Sequence, residues 1–256
     1  MFQGPNIWHI SDMKTWGMLT ATLAGGAALF DVSAAVAVDA PAPVVVARYS
    51  FDAVKAGDPV ADDSGHGHTL VPFGGHGGRV KSSPGPAGLA AAFPAKCKGK
   101  AKKCPHAVLQ APDAPDLNPG TGPIRYGASV RLAKGQTGSG ENVLQKGYSA
   151  SGSQYKLQVD GEAGRPSCVM SDNVVRGIHV ARSDVSIADG GWHRLECRRA
   201  GATLTLLVDD AVHATTPIPA TLSVTNTVPL SVGGKGDGLN NDQFHGALDD
   251  VWIALG

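Results

Sequence analysis

Two adjoining runs decide the fold: Trp192-His193-Arg194-Leu195-Glu196-Cys197-Arg198 and Thr203-Leu204-Thr205-Leu206-Leu207-Val208-Asp209-Asp210. In the first, Trp192, Arg194, Glu196 and Arg198 alternate with His193, Leu195 and Cys197, the two-residue period of a half-buried strand. The second is β-branched and apolar. Its Asp209-Asp210 makes a tight turn into residues 211–215, which predicts a hairpin. The same signature recurs upstream. Tyr126, Ala128, Val130 and Leu132 share one face of residues 126–132. Tyr155, Leu157 and Val159 alternate with Gln154, Lys156 and Gln158. Further strands are predicted at residues 45–51, 89–93, 107–110, 142–146, 167–170, 228–232 and 247–255. Turn formers fill the gaps, as in the loop Asp62-Asp63-Ser64-Gly65-His66-Gly67-His68 and the Pro/Asp/Gly-dense segment 112–123. No stretch carries an amphipathic helix over three turns. Short strands punctuated by turns predict an all-β, antiparallel sandwich.

Composition agrees. The 256 residues include 34 Gly and 17 Pro, enough for many turns, and 42% are hydrophobic, enough for a packed core. Only Glu141, Glu162 and Glu196 are glutamates, a scarcity that leans away from helical surfaces. Lys and Arg number 22, as do Asp and Glu, so nothing global draws the chain to nucleic acid or an anionic membrane.

The N-terminal part reads as an export signal. Met13-Lys14 opens a short basic segment, residues 16–30 are uncharged and mostly apolar, and Ala35-Val36-Ala37 fits a small-residue cleavage site. The apolar run is short for a bilayer span and Asp31 interrupts it. Residues 1–37 therefore read as an N-terminal extension plus signal peptide, with translation starting at Met13 as the expectation. Residues 38–43 are a linker and 44–256 a single domain, secreted and not membrane-spanning after cleavage. Four cysteines in an exported chain suggest disulfides, and four permit three pairings. Cys97 and Cys104 lie close together in a Lys/Gly/Pro-rich loop, while Cys168 and Cys197 fall in strand-like segments, so Cys97–Cys104 and Cys168–Cys197 are the preferred pairs. A zinc site built on these cysteines lacks C-x-x-C spacing.

The ordered segments resemble bacterial secreted laminin-G-like domains of the concanavalin A-like lectin/glucanase superfamily. Val46-Ala47-Arg48-Tyr49-Ser50-Phe51-Asp52 followed by the loop at 62–68 is similar to the family's opening strand and its Asp-Ser-Gly-Asn-Gly loop, with His66 and His68 in place of the usual Asn or similar residues. Asp189-Gly190-Gly191-Trp192-His193 resembles the entry into a central strand. Leu206-Leu207-Val208-Asp209-Asp210 resembles a Leu-x-Val-Asp-Gly hairpin, with Asp210 replacing Gly. Phe244-His245-Gly246-Ala247-Leu248-Asp249-Asp250-Val251-Trp252 resembles the closing strand. The resemblance implies a two-sheet antiparallel jelly roll in which Cys168 and Cys197 tie neighbouring strands, and in which Trp192 and Trp252 are core or near-core. It leaves the ligand open, because this fold hosts lectins, adhesion modules and enzymes.

Catalysis finds little support. A glycosidase needs two carboxylates flanking the scissile bond, and the three glutamates stand apart with no Glu-x-Asp-x-Glu strand. Gly138-Ser139-Gly140 reads as a turn, without the strand–helix elbow of a hydrolase nucleophile. The resemblance points instead to a structural Ca2+ at Asp52 and Asp249, whose strands would be neighbours, since calcium takes carboxylate and carbonyl oxygens. His66, His68 and His76 raise a transition-metal cluster, yet in a polar Gly-rich loop they read first as solvated side chains. The lysines of residues 96–103 form a basic knuckle without interleaved aromatics, so a stacking nucleic-acid platform is not expected. Tyr148, after Lys146-Gly147 at a strand end, is the favoured ligand-contacting aromatic. The reading is a lectin-like, non-catalytic module that recognises glycan, or, as the alternative, a cell-surface protein in an adhesion role.

Overall fold

The computed structural model describes residues 42–98, 104–174 and 177–256. The predicted export signal lies outside the described residues, as do Lys100, Lys102 and Lys103 of the basic knuckle. Among the described residues there are fifteen strands: β1 (Val44–Tyr49), β2 (Val71–Gly75), β3 (Lys81–Pro84), β4 (Leu89–Ala92), β5 (His106–Ala111), β6 (Ile124–Arg131), β7 (Glu141–Gly147), β8 (Gln154–Asp160), β9 (Arg165–Asp172), β10 (Gly177–Arg182), β11 (Trp192–Ala200), β12 (Thr203–Val208), β13 (Ala211–Pro217), β14 (Leu230–Val232) and β15 (Ala247–Leu255). Short 3-10 turns stand at Pro115–Leu117 and Lys134–Gln136. No described helix is long and apolar enough to cross a membrane.

The strands form two antiparallel sheets. One runs β13-β12-β11-β6-β15-β4-β3 with β1 also on β15, and the other runs β10-β9-β8-β7-β14-β5-β2. Tyr126 of β6 meets Tyr155 of β8 between the sheets with ring centroids 5.1 Å apart, and Leu157, Val159, Ala128 and Val130 extend the buried layer around them. Each buried tyrosine finds an acceptor: Tyr155 donates to the Leu117 carbonyl at 3.1 Å and Tyr49 to the His68 carbonyl at 2.6 Å. An unpaired buried hydroxyl would cost about 1–3 kcal/mol, so these bonds tie specific loops to the core.

Three strands escape the hydrophobic pattern. β2, β3 and β10 lie at sheet ends; β2 and β3 are largely exposed, and β10 is half-buried or exposed with only Ala181 in the core, so backbone pairing does most to define them. β8 also departs from expectation. Its outward Gln154 and Gln158 are buried, with Gln158 bonded to Asp160 and Ser167.

Both disulfides form. Cys168 and Cys197 do not tie neighbouring strands, however. Cys168 is on β9 and Cys197 on β11, in opposite sheets, so the bond crosses the sandwich. The implied core tryptophans are also corrected. Trp192 and Trp252 are half-buried on the outward face, where Arg131 lies 4.8 Å from the Trp192 ring and Arg125 5.8 Å from that of Trp252. Their registers opposite Arg131 and Gly127 put them on the face away from Tyr126.

Candidate functional site

β15 changes partner along its length. Ala247 and Leu248 pair with β4, whereas residues 251–255 pair with β1. The switch falls at Asp249-Asp250. There the register with β6 slips and Asp250 adopts a left-handed φ of 43°. Such a bulge re-aims side chains at the edge of regular pairing. At the end of β1, Phe51 is likewise left-handed at 60° and directs Asp52 toward the β3–β4 turn. Asp52 accepts the Leu89 N–H at 2.9 Å. The turn must be glycine-rich to admit these carboxylates. A Cβ on Gly88, which has φ +89°, would fall 2.1 Å from Asp52 Oδ1, and one on Gly85 would fall 2.8 Å from Asp249 Oδ2 and 3.0 Å from the Leu89 carbonyl.

The two predicted calcium residues thus border one turn. Asp249 is only 4% exposed, and burial together with the charges of Asp250 and Asp52 pushes its carboxyl up to about 6. Asp250 is paired with Arg48 at 2.8 Å. Among the described residues no cationic side chain forms an ion pair with Asp52 or Asp249. The groups that border this turn, the Asp52 and Asp249 carboxylates and the Leu89 carbonyl, all present oxygen.

Tyr148 follows β7, half-buried, and its hydroxyl donates to the Lys235 carbonyl. It thereby fastens the 233–243 loop, whose Lys235 pairs with Asp242 at 3.0 Å. The far end of that loop borders a cleft of about 290 Å³, walled by residues 138–140 and 239–243 with Lys96, His106, His245 and the Cys97–Cys104 disulfide. Asp242 is the carboxylate that lines it. Glu141 lies beside residues 138–140 but is 1% exposed, and it does not line the cleft. Burial pushes its carboxyl up to about 7, against the backbone N–H bond from His245 and the Lys96 charge. Glu196 is held by Arg125 at 2.8 Å and Arg198 at 3.0 Å. Glu162 is exposed in the β8–β9 turn.

Sequence reasoning missed Lys146, which is fully buried. Its ammonium reaches Asp113 at 2.6 Å and the carbonyls of Asn226 and Val228 at 3.0 and 2.9 Å. Only a fold that brings the 112–123 and 225–228 segments to β7 could reveal it. The three loop histidines divide. His66 and His68 meet Asp116, whereas His76 stands against His106 with ring centroids 5.8 Å apart.

Two facing antiparallel sheets, crossed by a disulfide and bearing loop-built sites at their rim, define a concanavalin-type sandwich. Residues 110–254 match the laminin-G profile of the concanavalin A-like lectin/glucanases superfamily, and the chain belongs to that superfamily. A search of curated proteins by sequence finds no match. Among solved structures, it is similar to domain 4 of AbnA, a GH43 extracellular arabinanase from Geobacillus stearothermophilus in complex with arabinotriose. That likeness has a TM-score of 0.62 at 16% identity and covers 84% of this chain and 93% of that one. It is also similar to the binding domain of Paraclostridial Mosquitocidal Protein 1, with TM-score 0.61, 13% identity, and coverage of 82% of this chain and 48% of that one. The binding domain of botulinum neurotoxin DC in complex with SialylT gives 0.57 at 7% identity, covering 82% and 47%. At these identities the likeness is one of fold.

Proposed function

We propose that the chain is an exported, non-catalytic module that binds glycan at the rim of the sandwich, with a structural Ca2+ held by Asp52 and Asp249. The observation that carries the glycan reading is the chemistry of the rim cleft. Amides, a hydroxyl, imidazoles and one carboxylate line it, the hydrogen-bonding groups that sugar hydroxyls need. Hydrolysis would need a second carboxylate across the bond. Glu141, beneath the wall, is sealed, and the other two glutamates stand elsewhere. Two neighbours in fold were solved with arabinotriose and with SialylT, which supports glycan as the ligand class. Tyr148 contributes by fixing the loop that walls the cleft and not through a free hydroxyl.

The all-oxygen donors and the uncompensated charge at Asp52 and Asp249 fit a hard cation, which prefers carboxylate and carbonyl ligands. The ion would pin the β3–β4 turn to the β1–β15 junction. Two disulfides and the apolar N-terminal segment support export. A protein-binding role is favoured by Val71 and Phe73, 41% and 42% exposed on edge strand β2.

The test is binding of the full chain to a glycan and insoluble-polysaccharide panel, with calcium and with chelator, beside melting curves. Binding to a defined sugar, weakened about tenfold or more by Asn240→Ala, supports the rim site. A calcium-induced rise in Tm that Asp249→Asn abolishes supports the structural ion. No glycan binding in either condition turns the assignment toward a protein partner, and superimposable melts remove the calcium.

A further inference from the structure

We propose that His66, His68 and Asp116 form a binding site for a divalent transition-metal ion of the Zn2+ class, separate from the cleft and from the Asp52–Asp249 pair. His66 Nδ1 lies 2.9 Å and His68 Nε2 3.0 Å from the same oxygen, Asp116 Oδ2. The three ligand atoms lie within 4.8 Å of one another. An ion about 2.0–2.1 Å from each ligand atom, as zinc requires, sets tetrahedral ligand edges of roughly 3.3 Å. Each His–Asp116 pair therefore needs to part by only a few tenths of an ångström to admit it, and the two imidazole nitrogens lie within 4.8 Å of each other.

The loop presents both imidazoles by construction. Asp62 accepts the N–H groups of Arg48 and Ser64 on one oxygen and of His68 on the other. Ser64 Oγ accepts the His66 N–H and donates to the Val46 carbonyl. Gly65 and Gly67, at φ +86° and +84°, reverse the chain on either side of His66. The rings therefore lie on one side, with centroids 6.2 Å apart and planes 23° apart.

Asp116 arrives from fifty residues downstream, and the core fixes both halves. Tyr49 of one sheet holds the His68 carbonyl, and Tyr155 of the other holds the Leu117 carbonyl next to Asp116. Such outer support orients metal ligands before the ion binds. Burial is graded: the His68 side chain is 8% exposed, those of His66 and Asp116 36% and 37%, so the ion would enter from the solvent side.

The donor set selects the metal. Two imidazoles and one carboxylate suit zinc and its late first-row neighbours, whereas Ca2+ and Mg2+ take oxygen shells. Three protein ligands leave a fourth position for water or an incoming ligand group.

The test is calorimetric titration of the untagged full chain, stripped of metal, with Zn2+, beside Co2+ absorption as a report of ligand geometry. The expected result is one Zn2+ per chain at this site, not displaced by excess Ca2+. His68→Asn and Asp116→Asn should each weaken it at least about tenfold, with loss of the intense visible bands of tetrahedral Co2+. His66→Asn, on the exposed side, should do the same without disturbing the metal-free fold, and His76→Asn should leave binding unchanged. Absence of Zn2+ binding, or binding that survives His66→Asn and His68→Asn, would overturn the assignment. Equal loss in His76→Asn would overturn it as well.

Discussion

Glu141 shows how much one side chain can depend on its surroundings. In the sequence it is a polar residue at the start of a strand. In the fold it is sealed, one carboxylate oxygen has no partner, and its proton is held to about pH 7. The charged group that faces it is Lys96, which favours the anion; His245 donates its backbone N–H, while its imidazole lies against the Pro94 carbonyl and is pushed below its usual range by burial. The folded carboxyl titrates above the unfolded one, so its contribution to stability is complete below about 4.5 and is lost as the pH rises through about 7. His245 works the other way, losing stability as the pH falls below 6.5. Glu141→Gln removes the first effect alone. Denaturant unfolding of the variant should show roughly 1–3 kcal/mol more stability, relative to the parent, at pH 8 than at pH 5. An unchanged difference between those pH values would mean that the carboxyl titrates normally. Asp116 is a parallel case: its sequence neighbourhood says only "turn", and its meaning comes from two histidines on a distant loop.

At the scale of elements, the β12–β13 hairpin turns on Asp209 and Asp210, with φ values of 50° and 67°. Positive φ at both central residues is the type I′ geometry, which prefers Asn-Gly or Asp-Gly because a Cβ is disfavoured there. Asp210 also pairs with Arg194, but both side chains are about 70% exposed, and such a pair contributes little. Asp210→Gly should therefore stabilise the chain by about 1 kcal/mol, read from the denaturation midpoint at constant slope. A loss of stability would assign more to the ion pair than exposure allows. The inner strands were legible because their alternation records burial: Tyr126, Ala128 and Val130, and Tyr155, Leu157 and Val159, all face the core. β2, β3 and β10 were not, because edge strands are defined by backbone hydrogen bonds that leave no hydrophobic period.

For the whole molecule, the Cys168–Cys197 bond joins the two sheets across the core. Its sequence separation of 29 residues corresponds to about 3–4 kcal/mol of loop-closure stabilisation, against about 2–3 kcal/mol for the 7-residue separation of Cys97–Cys104. The double variant Cys168→Ala/Cys197→Ala should lose at least the larger amount, with the smaller loss in Cys97→Ala/Cys104→Ala. The reverse order in chemical denaturation would show that the rim knuckle, and not the cross-sheet bond, dominates. The two bonds also divide the work by place, one holding the sheets together and the other bordering the cleft.

Sequence alone determined the all-β architecture, because a two-residue hydrophobic period and turn residues act locally. Through the laminin-G motifs it also reached the jelly roll, and it singled out Asp52 and Asp249, which the β1–β15 pairing brings to one turn. Tertiary structure decided everything that depends on contact across the sandwich or between distant loops. It placed Cys168 and Cys197 in opposite sheets, turned Trp192 and Trp252 outward onto arginines, and buried Lys146 among carbonyls. It also separated His76 from His66 and His68 and supplied Asp116 in its place. Periodicity reports which face of a strand is covered. It carries no term for which strand, sheet or loop does the covering, and that pairing is set by packing between segments 29 or more residues apart in the sequence.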